Sequence, residues 1–207
     1  MRLSNLIRGV TITLLLVFSF HSFAGDKVFF YIHGADIHSH GVDSKRGSEY
    51  KKIVDQLKSN GFDVIFEFRP EDDFEAQATL TANSVKEKIA SGTAPKNIII
   101  GGFSYGSLVS QKVSEILGDK QLNYALISGC HDNPNKKDID FSALQGRILS
   151  IYDVDDHKFG SCKDRMPPSV DFIEHELNSG KGHKLFRLSK EKFFNQWFEV
   201  FSSWANN

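Results

Sequence analysis

Asn97-Ile98-Ile99-Ile100-Gly101-Gly102-Phe103-Ser104-Tyr105-Gly106-Ser107 is the stretch on which the fold of this chain turns. Its first part, Asn97 to Gly101, is a short continuous apolar run, the pattern of a strand buried on both faces. Such a strand belongs inside a parallel sheet covered by helices. A helix-like segment, Tyr105 to Leu117, leaves the other end and stops at Gly118. Between the two, Gly102-Phe103-Ser104-Tyr105-Gly106 matches G-x-S-x-G. A serine carried on a sharp strand-to-helix turn needs small residues two before and two after it, because the backbone folds back on itself there. Gly102 and Gly106 meet that need, and Ser107 adds another small side chain. The five-residue string alone is weak; the strand before it and the helix after it give it weight.

The same alternation extends in both directions. Lys27 to Ile32 is β-branched and aromatic and ends at His33-Gly34. Ser48 to Asn60 carries Tyr50, Ile53, Val54 and Leu57 at helical spacing, with Gly61 as a stop. Phe62 to Phe68 reads as a strand and Thr79 to Ala90 as a helix. Leu122 to Ser128, Arg147 to Tyr152 and Val170 to Leu177 read as strands, and Lys190 to Trp204 as a terminal amphipathic helix rich in Phe and Trp. Six strands mostly separated by helices predict one α/β domain, a six-stranded, mostly parallel sheet with helices on both faces. Functional loops are then expected at the carboxyl ends of the strands. The longest loop-like pieces are Gly34–Gly47, Arg69–Ala78 and His131–Leu144. No repeat and no second-domain boundary interrupts the pattern.

Composition narrows the function classes. The chain has 207 residues and a formal net charge of −1, without the basic excess that phosphate recognition usually leaves, so no nucleic-acid partner is expected. A mean hydropathy of −0.30 excludes a polytopic membrane protein. Residues 1–24 read as a signal peptide. Arg2 and Arg8 precede Val10–Phe20, an apolar run of about 11 residues, and Ser22-Phe23-Ala24 puts small residues at −3 and −1 of a cut before Gly25. That run is shorter than the ~20 residues a membrane span needs. Residues 25–207 are therefore expected to be exported, periplasmic or secreted, with no stable membrane span. Both cysteines stay in that segment, in a compartment where disulfides persist, and Cys130–Cys162 is the one intrachain pair available.

The strand ending in His33-Gly34, the turn at Ser104, and the late Gly182-His183 before the terminal helix together resemble the α/β-hydrolase superfamily. The resemblance runs from about Lys27 to Trp204. Within it, the chain resembles small exported bacterial serine hydrolases, esterase- and lipase-like, that lack a cap domain. It implies a nucleophile, an acid and a histidine in that chain order. Ser104 and His183 supply the first and last. His183 follows a short Ser179-Gly-Lys-Gly182 loop, and a neutral imidazole accepts a serine proton near neutral pH. His175, inside a strand between Glu174 and Glu176, is expected to pack or face solvent. For the acid, register after the strand ending at Tyr152 favours Asp156; Asp153 and Asp155 remain alternatives, with Asp132 further off.

The resemblance also implies an oxyanion hole built from the backbone N–H groups of Ala35 and Tyr105. The expected partner is a small-molecule substrate, a carboxylic ester or thioester, attacked to give an acyl-enzyme, with no cofactor and no metal. His33, His38, His40 and Asp36 cluster after the first strand but match no metal-ligand spacing. A Cys130–Cys162 bridge would tether the acid-bearing loop to its neighbour. Two other readings share the scaffold: an exported binding protein without catalysis, and an acyltransferase using the same three residues.

Overall fold

The computed structural model describes residues 27–66, 68, 73–131 and 139–207. Residues 1–24, expected to be a signal peptide, and Arg69, Glu71, Asp72 and Asp132 lie outside them.

The chain runs β1 (Val28–Ile32), α1 (Ala35–His40), α2 (Lys45–Ser59), β2 (Asp63–Ile65), α3 (Phe74–Ala90), β3 (Ile98–Phe103), α4 (Tyr105–Leu117), β4 (Asn123–Ile127), β5 (Cys130–His131), β6 (Arg147–Asp153), β7 (Phe159–Gly160), β8 (Asp171–Leu177) and α5 (Glu191–Ala205). Six strands form one sheet in the order β2-β1-β3-β4-β6-β8, and every pairing in it is parallel. β5 and β7 form a separate antiparallel pair.

Strand side chains alternate between two cores, as the period of two demands. Phe29, Tyr31, Ile99, Ile127, Leu149 and Ile151 join α2 and α5 on one face. Val28, Phe30, Ile98, Ile100, Leu126 and Ile148 join α3 and α4 on the other. Burial on both faces is why β3 reads as an unbroken apolar run. The terminal helix α5 buries Phe194, Trp197, Phe198, Phe201 and Trp204 along one stripe, with Phe201 stacked on Phe29 at 4.8 Å.

Three loop boundaries differ from expectation. Within the expected loop Gly34–Gly47, α1 forms and α2 begins at Lys45. Ser44 caps α2 by accepting from the Gly47 N–H at 3.1 Å, but the apolar face starts only at Tyr50, so the polar first turn left no periodic signal. α3 begins at Phe74 instead of Thr79, capped by Asp73, which accepts from the Ala76 N–H at 3.0 Å. β2 is shorter than the expected strand: it spans three residues, paired with Val28 to Phe30 of β1.

The sheet order reverses at the β1–β3 boundary, since the chain passes from β1 out to β2 and back to β3 on the other side. In open α/β sheets the crevice at such a switch point, beyond the carboxyl ends of the strands, is where ligands bind. His33-Gly34 and Ser104 both lie there.

Candidate active site

Ser104 joins β3 to α4 with φ 57° and ψ −114°, a conformation costing a non-glycine residue roughly 1–3 kcal/mol. The surroundings impose it. A Cβ on Gly102 or Gly106 would lie 2.0 or 2.1 Å from the Ile32 carbonyl oxygen, so only glycine lets the turn press against the end of β1. On the other side the Ser104 N–H donates to the Ile127 carbonyl at 2.9 Å. The Ser107 hydroxyl is shared between the carbonyls of Ile127, at 2.9 Å, and Gly102. The turn is thus pinned to both neighbouring strands, and the Ser104 side chain stays partly exposed.

Across the crevice, His183 stands in a 3-10 turn, Gly182–Arg187, after β8. Its approach is fixed by Asp153, the fully buried last residue of β6. One Asp153 oxygen accepts from the Ser179 N–H at 2.9 Å and from the Ser179 hydroxyl. The other accepts from the N–H groups of Gly182 and Asp155, both at 3.1 Å. The imidazole lies 4.6 Å from the Phe103 ring and stacks on Phe159 at 5.0 Å and 16°. Beyond the turn, Glu49 of α2 accepts from the Ser189 N–H at 2.9 Å and hydroxyl at 2.7 Å, anchoring the far end of the segment.

His183 Nε2 is 3.0 Å from Ser104 Oγ, and its Nδ1 is 2.7 Å from Asp156 Oδ2. An ionised carboxylate can only accept, so Nδ1 carries the proton and Nε2 is left to accept from Ser104. The Asp156 side chain is buried, while that of His183 keeps 24% of its surface exposed. Asp156 Oδ1 accepts from the N–H groups of Lys158 and Phe159, at 3.0 and 3.2 Å. Oδ2 also accepts the hydroxyl of Ser128. Burial alone would raise the Asp156 carboxyl; the bonds from His183, Ser128 and the Lys158 N–H outweigh it and hold it below the usual carboxylate range.

Of the expected acids, Asp156 is the one brought to His183. Asp153 holds the histidine loop instead, and Asp155 is exposed. His175 is exposed on β8, and His33 is buried with Nδ1 3.0 Å from the Gly34 carbonyl. Ala35 and Tyr105 are the first residues of α1 and α4, where a backbone N–H has no acceptor within its own helix. The expected bridge, Cys130–Cys162, is present, with Cα atoms 5.2 Å apart. It closes beside the β5–β7 pair, in which His131 is in register with Phe159. Sequence reasoning missed Ser128, Phe159 and the clamping role of Asp153. For Ser128 the sequence offered only a polar residue at the end of an apolar run, with nothing to link it to Asp156.

Among the described residues no helix is long and apolar enough to cross a membrane. No protein-family model matches the sequence, and no curated protein matches it. Solved structures do match. A protein from Klebsiella pneumoniae subsp. pneumoniae, provisionally described as a dienelactone hydrolase, is 11% identical with a TM-score of 0.59, covering 87% of each chain. Esterase PE8 is 13% identical with a TM-score of 0.56, over 87% of this chain and 93% of its own. A protein from Xanthomonas campestris pv. campestris, provisionally described as a hydrolase of the alpha/beta superfamily, is 12% identical with a TM-score of 0.51, over 86% and 99%. At these identities the likeness is one of architecture, and by that architecture the chain has the α/β-hydrolase fold.

Proposed function

We propose that this protein is an exported serine hydrolase that cleaves a carboxylic ester or thioester. Ser104 is the nucleophile, His183 the general base and acid, and Asp156 the group that orients His183. The observation that carries the reading is the hydrogen-bonded series from Ser104 through His183 to a buried Asp156, beginning at a serine held in a strained turn. Hydrolases and an esterase among the structural neighbours support it.

In the reaction, Ser104 Oγ attacks the acyl carbon as its proton passes to His183 Nε2. The carbonyl oxygen becomes an oxyanion facing the N–H groups of Ala35 and Tyr105. The positive end of α4 points at the same place. Collapse expels the alkoxide or thiolate, which takes the proton back from His183, and leaves an acyl group on Ser104. Water then enters, gives its proton to His183 and attacks the acyl carbon. The free acid leaves as the proton returns to Ser104. Asp156 stays ionised throughout and stabilises the imidazolium.

Export is supported by the signal-peptide pattern of residues 1–24 and by a disulfide suited to an oxidising compartment. The test is a panel of p-nitrophenyl esters and acyl thioesters given to residues 25–207. Turnover that Ser104→Ala abolishes, with the circular dichroism spectrum unchanged, supports the reading. Equal turnover by Ser104→Ala removes it.

A further inference from the structure

The hydrogen bonds of Asp156 point past the three residues already named. Ser128 follows β4 directly, so it ends the strand beside the one that ends in Ser104. Its side chain is fully buried, and its φ of 54° is, besides that of Ser104, the only positive φ of a non-glycine among the described residues. A serine held there is strained, and strain persists only where the surroundings over-determine it. Here the Ser128 N–H donates to the Ile151 carbonyl at 2.7 Å, tying the residue to β6. The hydroxyl then meets Asp156 Oδ2, the same oxygen that accepts from His183, and stands 3.3 Å from His183 Nδ1.

We propose that Ser128 is a positioning residue for the reaction, whose hydroxyl sets the direction in which Asp156 presents its carboxylate to His183. This rests on the reading of Ser104, His183 and Asp156 as the reacting series. The argument is one of geometry. Two backbone N–H groups hold Oδ1, but among the described residues Oδ2 has no backbone donor, so without Ser128 it is held only by the ring it is meant to orient, His183. Rotation about Oδ1 would swing Oδ2 off the line to His183 Nδ1 and release the imidazole from Ser104. A hydroxyl suits this place, because it gives its one proton to Oδ2 and turns lone pairs, not a second N–H or O–H, toward the Nδ1–H 3.3 Å away.

The experiment compares wild type, Ser128→Ala and Ser128→Gly by their inactivation with a fluorophosphonate, separating the maximal rate of inactivation from the probe's half-saturation constant. Glycine suits a φ of 54°, so Ser128→Gly removes the hydroxyl while relieving the backbone, and it stays informative if alanine disturbs the fold. A hydrogen bond to a charged group corresponds to about a 10- to 100-fold change in rate. We expect the maximal rate to fall by that factor in both variants, with half-saturation unchanged within about twofold. The low-field proton resonance of His183 Nδ1–H should move in both. A residue with only a structural role would change the unfolding temperature and leave rate and resonance alone. Wild-type rates in a folded Ser128→Gly would overturn the proposal while Ser104 keeps its role. A wild-type protein that never labels would remove both.

Discussion

Asp156 has each carboxylate oxygen occupied by two donors, which is why its identity as a carboxylate, and not only its shape, should matter. An amide at this position must turn an N–H₂ toward either His183 or the backbone donors. Asp156→Asn would then favour the wrong imidazole tautomer and slow acylation of Ser104 by ~10⁴-fold. The same variant probes stability. A carboxyl held below its usual range in the folded state stabilises the fold above the unfolded value, near pH 4, and that contribution disappears as pH falls through the folded value. Unfolding temperatures of wild type and Asp156→Asn should therefore converge on acidification below about pH 4; a constant gap down to about pH 2 would contradict this. At this scale Ser104 is readable in the sequence, because the demands of its turn fall on residues two positions away. Ser128 is not, since its partner Asp156 is 28 residues distant and arrives only when β4 and β6 pair. The role of Asp153 is equally hidden, because it, Asp155 and Asp156 look alike until the loop that Asp153 clamps is in view.

Elements owe their places here to close backbone approach as much as to periodicity. The turn after β3 sits on the end of β1 because Gly102 and Gly106 expose bare backbone to the Ile32 carbonyl. In Gly106→Ala the new methyl would fall 2.1 Å from that oxygen, a distance no rotamer relieves. Either β1 or the start of α4 must shift, so this variant should unfold at lower temperature and lose fluorophosphonate labelling together. Unchanged unfolding and labelling would show that the turn does not depend on this approach. Periodicity reveals α2, α3, α4 and α5, whose buried stripes are long. It does not reveal α1, six residues with Ile37 alone buried, nor the polar first turn of α2. Ser44 marks the start of α2 and Asp73 that of α3, but a cap is a single residue, and the same serine or aspartate also serves in a loop; α1, which follows Gly34, has no side-chain cap at all.

For the molecule as a whole, the alternation of strands and helices predicts the architecture well, because six parallel strands joined by helices leave few other arrangements. Strand order is a different matter: no local pattern says that β1 is flanked by β2 and β3, yet that reversal creates the crevice. The crevice is also held from a distance. The Cys130–Cys162 bridge spans 32 residues of chain, for which loop entropy suggests a stabilisation of about 3–4 kcal/mol. It fastens the β5–β7 pair, and β7 carries Phe159, which donates its N–H to Asp156 and stacks on His183. Reduction, or the double variant Cys130→Ala with Cys162→Ala, should lower the unfolding temperature and also slow labelling of the protein that remains folded. Lower stability with full labelling rate would confine the bridge to a stabilising role.

The central claim is that Ser104 is an activated nucleophile. Treating residues 25–207 with a fluorophosphonate and mapping the adduct by mass spectrometry tests it without knowledge of the substrate. The account predicts one adduct per chain, on Ser104, absent from Ser104→Ala and from protein unfolded before treatment. A folded protein that takes no label, or takes it on another residue, would contradict it.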